Sequence, residues 1–227
     1  MNSKLLAIAF ATCLSVCVAG AELPVTQIVK HVQPKVATVR VHMVSRTTTW
    51  GRSRNKKRSS RLKSNNAAKP PKPALTTHVA VFSGVLLGDG NIVSPVYAAS
   101  DTPIRVTLPG GEQVRGRVRV IDEYSGLSLI NCQKRKDLPG IKVDPKAPAV
   151  GSMVVSFAAW GLQKPVVSIG FVSGVRRNIN NVHFPPLLQC DLRTVGTSSG
   201  APLVNKKGEL VGIVVFSQVD RTRGWTY

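Results

Sequence analysis

From Leu75 onward the chain is cut into short apolar runs by glycine- and proline-rich turns, and this punctuation limits its fold more than any other feature. Thr77–Leu87 meets the turn Gly88-Asp89-Gly90, Asn91–Ala99 returns, and Ile104–Leu108 passes through Pro109-Gly110-Gly111 into Gln113–Ile121. Leu127–Cys132 closes this half. Short runs bounded by turn signals read as consecutive β-strands. After a basic, proline-containing connector at Lys134–Pro148 come Val150–Phe157, Val166–Val175, Leu187–Asp191, Pro202–Asn205 and Leu210–Ser217. Upstream, Val39, Val41 and Met43 alternate with Thr38, Arg40 and His42, the period-two pattern of a half-buried strand over Val36–Val44. Within Leu23–Gln33, Val25, Ile28, Val29 and Val32 fall at helical spacing, and Pro34 should stop the helix. The expected class is all-β with a short N-terminal helix over 22–35 and the β domain over 36–227. Two strand-rich halves of similar size fit two packed Greek-key barrels with a cleft between them; the pattern by itself admits other all-β layouts.

Charge narrows the partners. The 227 residues carry 31 Lys and Arg against 11 Asp and Glu, a formal net charge of +20. An excess of this size points to polyanionic surfaces and not to any fold. Residues 45–73 concentrate it: Arg46, Arg52, Arg54, Lys56, Lys57, Arg58, Arg61, Lys63, Lys69 and Lys72 stand there without an acid. Such a stretch repels itself and cannot bury itself, so it is expected to be a disordered loop. It is either a solvated insertion between strands or a polyanion-binding arm, with Trp50 as a stacking group. Arg115, Arg117 and Arg119 alternate with Val114, Val118 and Val120 and give a second basic stripe on one strand face. The expected partners are an anionic polysaccharide, a cell-wall polymer or a lipid surface. Nucleic acid stays open, although nothing in the stretch offers base specificity.

The first 21 residues have the layout of an export signal. Lys4 precedes an apolar run from Leu5 to Val18, and Ala19-Gly20-Ala21 offers small residues for cleavage. The run falls short of the ~20 residues that span a bilayer. Leu14-Ser15-Val16-Cys17 fits a lipoprotein box poorly, because Val16 is bulky before the cysteine. A secreted or periplasmic location is expected. Cleavage would remove Cys13 and Cys17 and leave Cys132 and Cys190, either as a disulfide or as two buried thiols in separate strands. Neither has metal-ligand spacing, so no metal and no cofactor is expected.

The chemistry centres on Gln189–Asn205, where Gly196-Thr197-Ser198-Ser199-Gly200-Ala201 runs straight into Pro202-Leu203-Val204. A serine on a small-residue loop entering an apolar strand resembles the nucleophile loop of the trypsin-like serine proteases, most closely the HtrA type, whose motif is Gly-Asn-Ser-Gly-Gly. The resemblance puts Ser199 at the nucleophile position and implies two packed six-stranded Greek-key β-barrels. It extends to two further motifs. Ser83-Gly84-Val85 through Ile92-Val93-Ser94-Pro95-Val96-Tyr97-Ala98-Ala99 matches the stretch ending in Val-Thr-Asn-Asn-His, with Tyr97 where the histidine base is expected. Asp122-Glu123-Tyr124-Ser125-Gly126-Leu127-Ser128-Leu129-Ile130 matches Asp-x-x-Ser-Asp-Ile-Ala-Leu-Ile, with Gly126 at the orienting aspartate. HtrA-type chains also tend to carry a long mobile loop early in the domain. With Tyr227 near the last expected strand, the PDZ domain that commonly follows in HtrA-type proteins is not expected within these residues.

These departures weaken catalysis on chemical grounds. A serine hydroxyl needs a base to take its proton and a third group to hold that base. A phenol is mostly protonated at neutral pH, and glycine has no side chain. In the oxyanion loop Thr197, next to Ser198, replaces a glycine, and a β-branched residue resists the backbone angles that glycine permits. Ala201 replaces the second glycine after the serine. His31, His42, His78 and His183 have no partner motif, and Asp122 and Glu123 read as a solvated turn. Two readings follow. One is a proteolytically inactive binding protein working through its basic surface, with the inter-barrel cleft open to a protein or peptide. The other is a divergent serine endopeptidase using Ser199 with an unrecognised base.

Overall fold

The computed structural model describes residues 22–47, 74–99, 101–132, 135, 137–178, 185–215, 217–218 and 225–226. Residues 1–21, read above as an export signal, the basic stretch at 48–73 with Trp50, Arg52, Arg54, Lys56, Lys57, Arg58 and Arg61, and His183 lie outside the described residues.

Pro24 precedes helix α1 (Val25–Val32), and the amphipathic spacing buries Ile28 and Val32 on one face. Pro34 does not end the helical path at once; Gln33–Lys35 adds a 3-10 turn, in which a proline near the start loses no needed amide. Strands β1 (Val36–Thr47), β2 (Ala74–Gly88), β3 (Asn91–Ser94), β4 (Ile104–Thr107), β5 (Gln113–Asp122) and β6 (Leu127–Asn131) follow. They close into a six-stranded barrel in the order β1-β2-β3-β6-β5-β4. The seal is the antiparallel pairing of Thr38–Val41 with Thr107–Ile104. Val39, Val41, Leu86, Ile92, Val106 and Ile130 fill the interior, so the inward members of the alternating pattern form the core.

Three local readings need correction. Ser45, Arg46 and Thr47 are strand and not loop, because the β1–β2 ladder continues to Thr47 opposite Ala74. Backbone hydrogen bonding across this ribbon, with the β-branched Val44, Thr47, Thr76 and Thr77 favouring extended backbone, outweighs the local charge. Strand β3 ends at Ser94 and not Ala99, since Pro95 has no amide to continue the ladder. Val120 does not share the inward face of Val114 and Val118 but is 59% exposed. A register shift between Val118 and Val120 inserts an extra residue and turns that side chain outward.

The second half is a seven-stranded sheet built from β7 (Met153–Trp160), β8 (Gln163–Arg177), β9 (Leu187–Cys190), β10 (Pro202–Val204), β11 (Leu210–Ile213), β12 (Ser217–Gln218) and β13 (Trp225–Thr226). Its order is β11-β10-β7-β8-β9-β13-β12, an open half-barrel among the described residues. Phe157 lies at the joint. It is fully buried in one cluster with Ile28 and Val32 of the helix, Val36 and Val85 of the barrel, Ile141 of the connector, and Val204 and Leu210 of the sheet. The two halves therefore share a core.

Candidate functional site

The Ser199 loop spans the gap between β9 and β10 and is built from short-range hydrogen bonds. The Ser198 hydroxyl accepts from the Val195 amide at 2.8 Å, while the Ser198 amide donates to the Val195 carbonyl at 2.9 Å and the Ala201 amide to the Ser198 carbonyl at 2.8 Å. Gly200 follows at φ +88°, a value open to glycine and costly for other residues. Its amide donates to the Val214 carbonyl at 2.6 Å.

A buried serine from the barrel clasps this loop. The Ser83 amide donates to the Ser199 carbonyl at 2.8 Å, and its hydroxyl donates to the Thr197 carbonyl at 2.6 Å. The same hydroxyl accepts from the Ala159 amide of β7 at 2.8 Å, and the Ser83 carbonyl accepts from the Ser94 hydroxyl at 2.7 Å. Ser94 in turn lies opposite Ser128 in the β3–β6 register, and the Ser128 hydroxyl donates to the Val96 carbonyl. These bonds join three stretches far apart in sequence: the Ser199 loop, the Pro95–Ala99 segment with Tyr97, and the β6 entry two residues after Gly126.

The three residues that the resemblance matches to a catalytic triad are placed as follows. Ser199 is half-buried, and among the described residues no hydrogen bond to its Oγ is present. Tyr97 is 68% exposed, on the segment just beyond β3. Gly126 sits at φ +70° in the turn between β5 and β6, with its amide donating to the Asp122 carbonyl at 2.9 Å. The Asp122 carboxylate organises that turn by accepting from the Ser125 hydroxyl at 2.5 Å and the Tyr124 amide at 3.1 Å. Those two bonds, the Ser125 one first, hold its carboxyl below the ordinary carboxylate value. Glu123 beside it is exposed. Thr197 keeps an ordinary φ, since the described non-glycine residues at positive φ are Asp89 and Arg176. Its hydroxyl is buried without a hydrogen-bond partner.

The described histidines lie elsewhere. The Lys35 ammonium is 2.8 Å from His31 Nε2, His42 and His78 are exposed on β1 and β2, and His42 lines a groove on the barrel. Burial pushes the Lys35 ammonium below its ordinary value. Among the described residues no group of three or more His, Cys, Asp or Glu comes together as a metal site. Arg115, Arg117 and Arg119 are exposed along β5 and line the same groove as His42. Arg105 of β4 joins them there, a residue that sequence reading passed over because it is alone in Ile104–Thr107. At the joint of the halves, a concavity of about 530 Å³ opens beside Thr38, Thr107 and Gly161.

Cys132 and Cys190 are free thiols. Cys132 packs in the barrel core and Cys190 in a separate cluster with Val154, Val172 and Leu203. Burial pushes both up to about 11 from an ordinary 9.0, with the Asp191 charge adding to the effect at Cys190. A thiol raised in the folded state favours the fold fully below its ordinary value, and that contribution is lost as pH climbs through the raised one. Urea midpoints should therefore fall between pH 9.0 and about 11, and fall less steeply in a Cys132→Ala/Cys190→Ala variant. Parallel pH curves for the two proteins would contradict the assignment.

Comparison with known proteins agrees with this architecture. A family model described as "Trypsin-like peptidase domain" matches residues 74–213. The chain is 33% identical over 141 residues to the periplasmic serine endoprotease DegP of Escherichia coli, covering 60% of this chain and 30% of DegP. It is 29% identical over 136 residues to the mitochondrial serine protease HTRA2 of Bos taurus, covering 57% and 30% respectively. The matched region thus spans about 30% of the length of these relatives. Among solved structures, the inactive form of the Rv3671c protease superposes with a TM-score of 0.60 at 12% identity, over 88% of this chain and 86% of that one. At that identity the likeness is one of fold.

Proposed function

The chain belongs to the trypsin-like peptidase domain family, and on that premise we propose that it is an exported, proteolytically inactive member that acts as a binding protein for polyanions. The reading is carried by the pair Tyr97 and Gly126, at the positions of the base and its orienter. Tyr97 is exposed and Gly126 lies in a turn; a phenol is a poor base for a serine hydroxyl, and a residue without a side chain has nothing with which to hold a base. Ser199 keeps the loop, and among the described residues no hydrogen bond reaches its Oγ. The basic surface supplies the alternative role: with a net charge of +20, attraction to anionic polymers operates whatever becomes of the serine. Export is supported by the positive, apolar and small-residue sequence of the leader.

A fluorophosphonate probe tests the inactive reading, because it reports nucleophile activation without knowledge of a substrate. Labelling of Ser199 should be at least ~10⁴-fold slower than in a protein with an intact triad, in keeping with the loss seen when a base is removed. Prompt labelling that disappears in Ser199→Ala would establish the divergent endopeptidase instead.

A further inference from the structure

We propose that the groove on the outer face of β4 and β5 is a binding site for a linear anionic polysaccharide, with Arg105, Arg115, Arg117 and Arg119 contacting its sulfate or carboxylate groups. The proposal rests on the polyanion-binding reading above and narrows it to one face and one ligand class.

Strand register supplies the first argument. Arg40 of β1 lies opposite Arg105 of β4, and Arg105 lies opposite Arg115 of β5. Three arginine positions thus share one row across three neighbouring strands. Like charges directly opposite each other in an antiparallel pair are destabilising, and arginine cannot escape by losing its proton. Arg40 is partly relieved, since its guanidinium donates to the Thr107 hydroxyl at 3.0 Å. Arg105, Arg115, Arg117 and Arg119 make no ion pair or side-chain hydrogen bond among the described residues. A fold that keeps such a row has an unmet demand for external anions.

Shape supplies the second. The four arginines line a concavity of about 890 Å³ that His42 also borders, with Asp101 the acid in its lining. Alternate residues on a strand lie about 6.7 Å apart, so the β5 arginines form a linear file and not a cluster. The bulge between Val118 and Val120 bends this strand. A recessed file of guanidinium forks suits an extended chain bearing planar or trigonal oxyanions, each met by paired donors. A flat bilayer would reach protruding groups before recessed ones. Among the described residues no Phe, Tyr or Trp lines the groove, whereas single-stranded nucleic acid binds largely by stacking bases on such rings.

The test is titration of the full chain with a heparin oligosaccharide over a series of salt concentrations. Arg105→Gln/Arg115→Gln/Arg117→Gln should bind on the order of 30-fold more weakly and lower the slope of log affinity against log salt by about two to three, one per lost contact. Lys146→Gln/Lys164→Gln/Lys207→Gln removes the same charge from exposed positions outside the groove and should change affinity by less than about threefold. The groove variant should melt at or above the wild-type temperature, since it relieves the like-charge row. Equal weakening by both triple variants, or a groove variant that melts several degrees lower, would overturn the groove site and leave polyanion binding standing. A wild-type protein with no salt-sensitive affinity for heparin would overturn both. Tighter, groove-dependent binding of a single-stranded oligonucleotide or of anionic vesicles would overturn the choice of ligand.

Discussion

Gly200→Ala should cost the fold about 4 kcal/mol and shift its urea midpoint by the corresponding amount. A β-carbon at this position would stand 2.0 Å from the Ser83 carbonyl oxygen and 2.8 Å from Pro95 Cδ. Neither neighbour can yield easily, because one is backbone in the barrel wall and the other a proline ring. The positive φ of +88° adds strain of about 1–3 kcal/mol. Moving the loop away would break the bonds from Ser83 to the Ser199 and Thr197 carbonyls, each worth about 1 kcal/mol. Gly111→Ala is the matched control. Its φ is likewise positive at +94°, yet its β-carbon would stand 3.9 Å from Leu162 Cδ2, an ordinary contact, so only the backbone strain of about 1–3 kcal/mol applies. Equal losses at the two glycines would show that the Ser199 loop is not clamped to the barrel.

Phe157→Ala should be of similar size, about 3–5 kcal/mol. The ring has no exposed surface, and its neighbours come from the helix, the barrel, the connector and the open sheet. A cavity there cannot be closed by one element moving inward, because that element is also held by the others. Amide exchange in α1 should speed up along with the global loss, since Ile28 and Val32 dock on the same cluster. Phe171→Ala provides the contrast: that ring is 50% exposed, and its loss should cost under ~1 kcal/mol. If Phe157→Ala were as mild as Phe171→Ala, the two halves would not share the core described here.

Much of the barrel could be read from the chain, because the information is local. Alternation over Val36–Val44 and the glycine turns at Gly88-Asp89-Gly90 and Pro109-Gly110-Gly111 depend on neighbours within a few residues. The misreadings also have local causes that pattern alone does not encode. Val120 follows the alternation and still faces water, because a bulge changes the register midway along β5. Ser45–Thr47 carry the composition of a solvated loop and still pair, because their partners at Ala74–Thr76 lie across a long insertion. In the second half the strands could be anticipated, but their order in the sheet depends on pairing between residues far apart.

At the candidate site the division is sharper. Ser199, Tyr97, Gly126, Thr197 and the β5 arginines could be named from motifs and periodicity, since residue identity is a property of the chain. Sequence alone also sets a phenol and a glycine at the positions that the resemblance matches to the base and its orienter. Tertiary structure decided what these residues meet. Ser83 reaches Thr197 and Ser199 across more than a hundred residues, and Arg105 becomes part of a basic row only when β4 lies between β1 and β5. Hydrogen bonds and charge repulsion act over a few ångströms of space, and only folding sets which residues fall within that range.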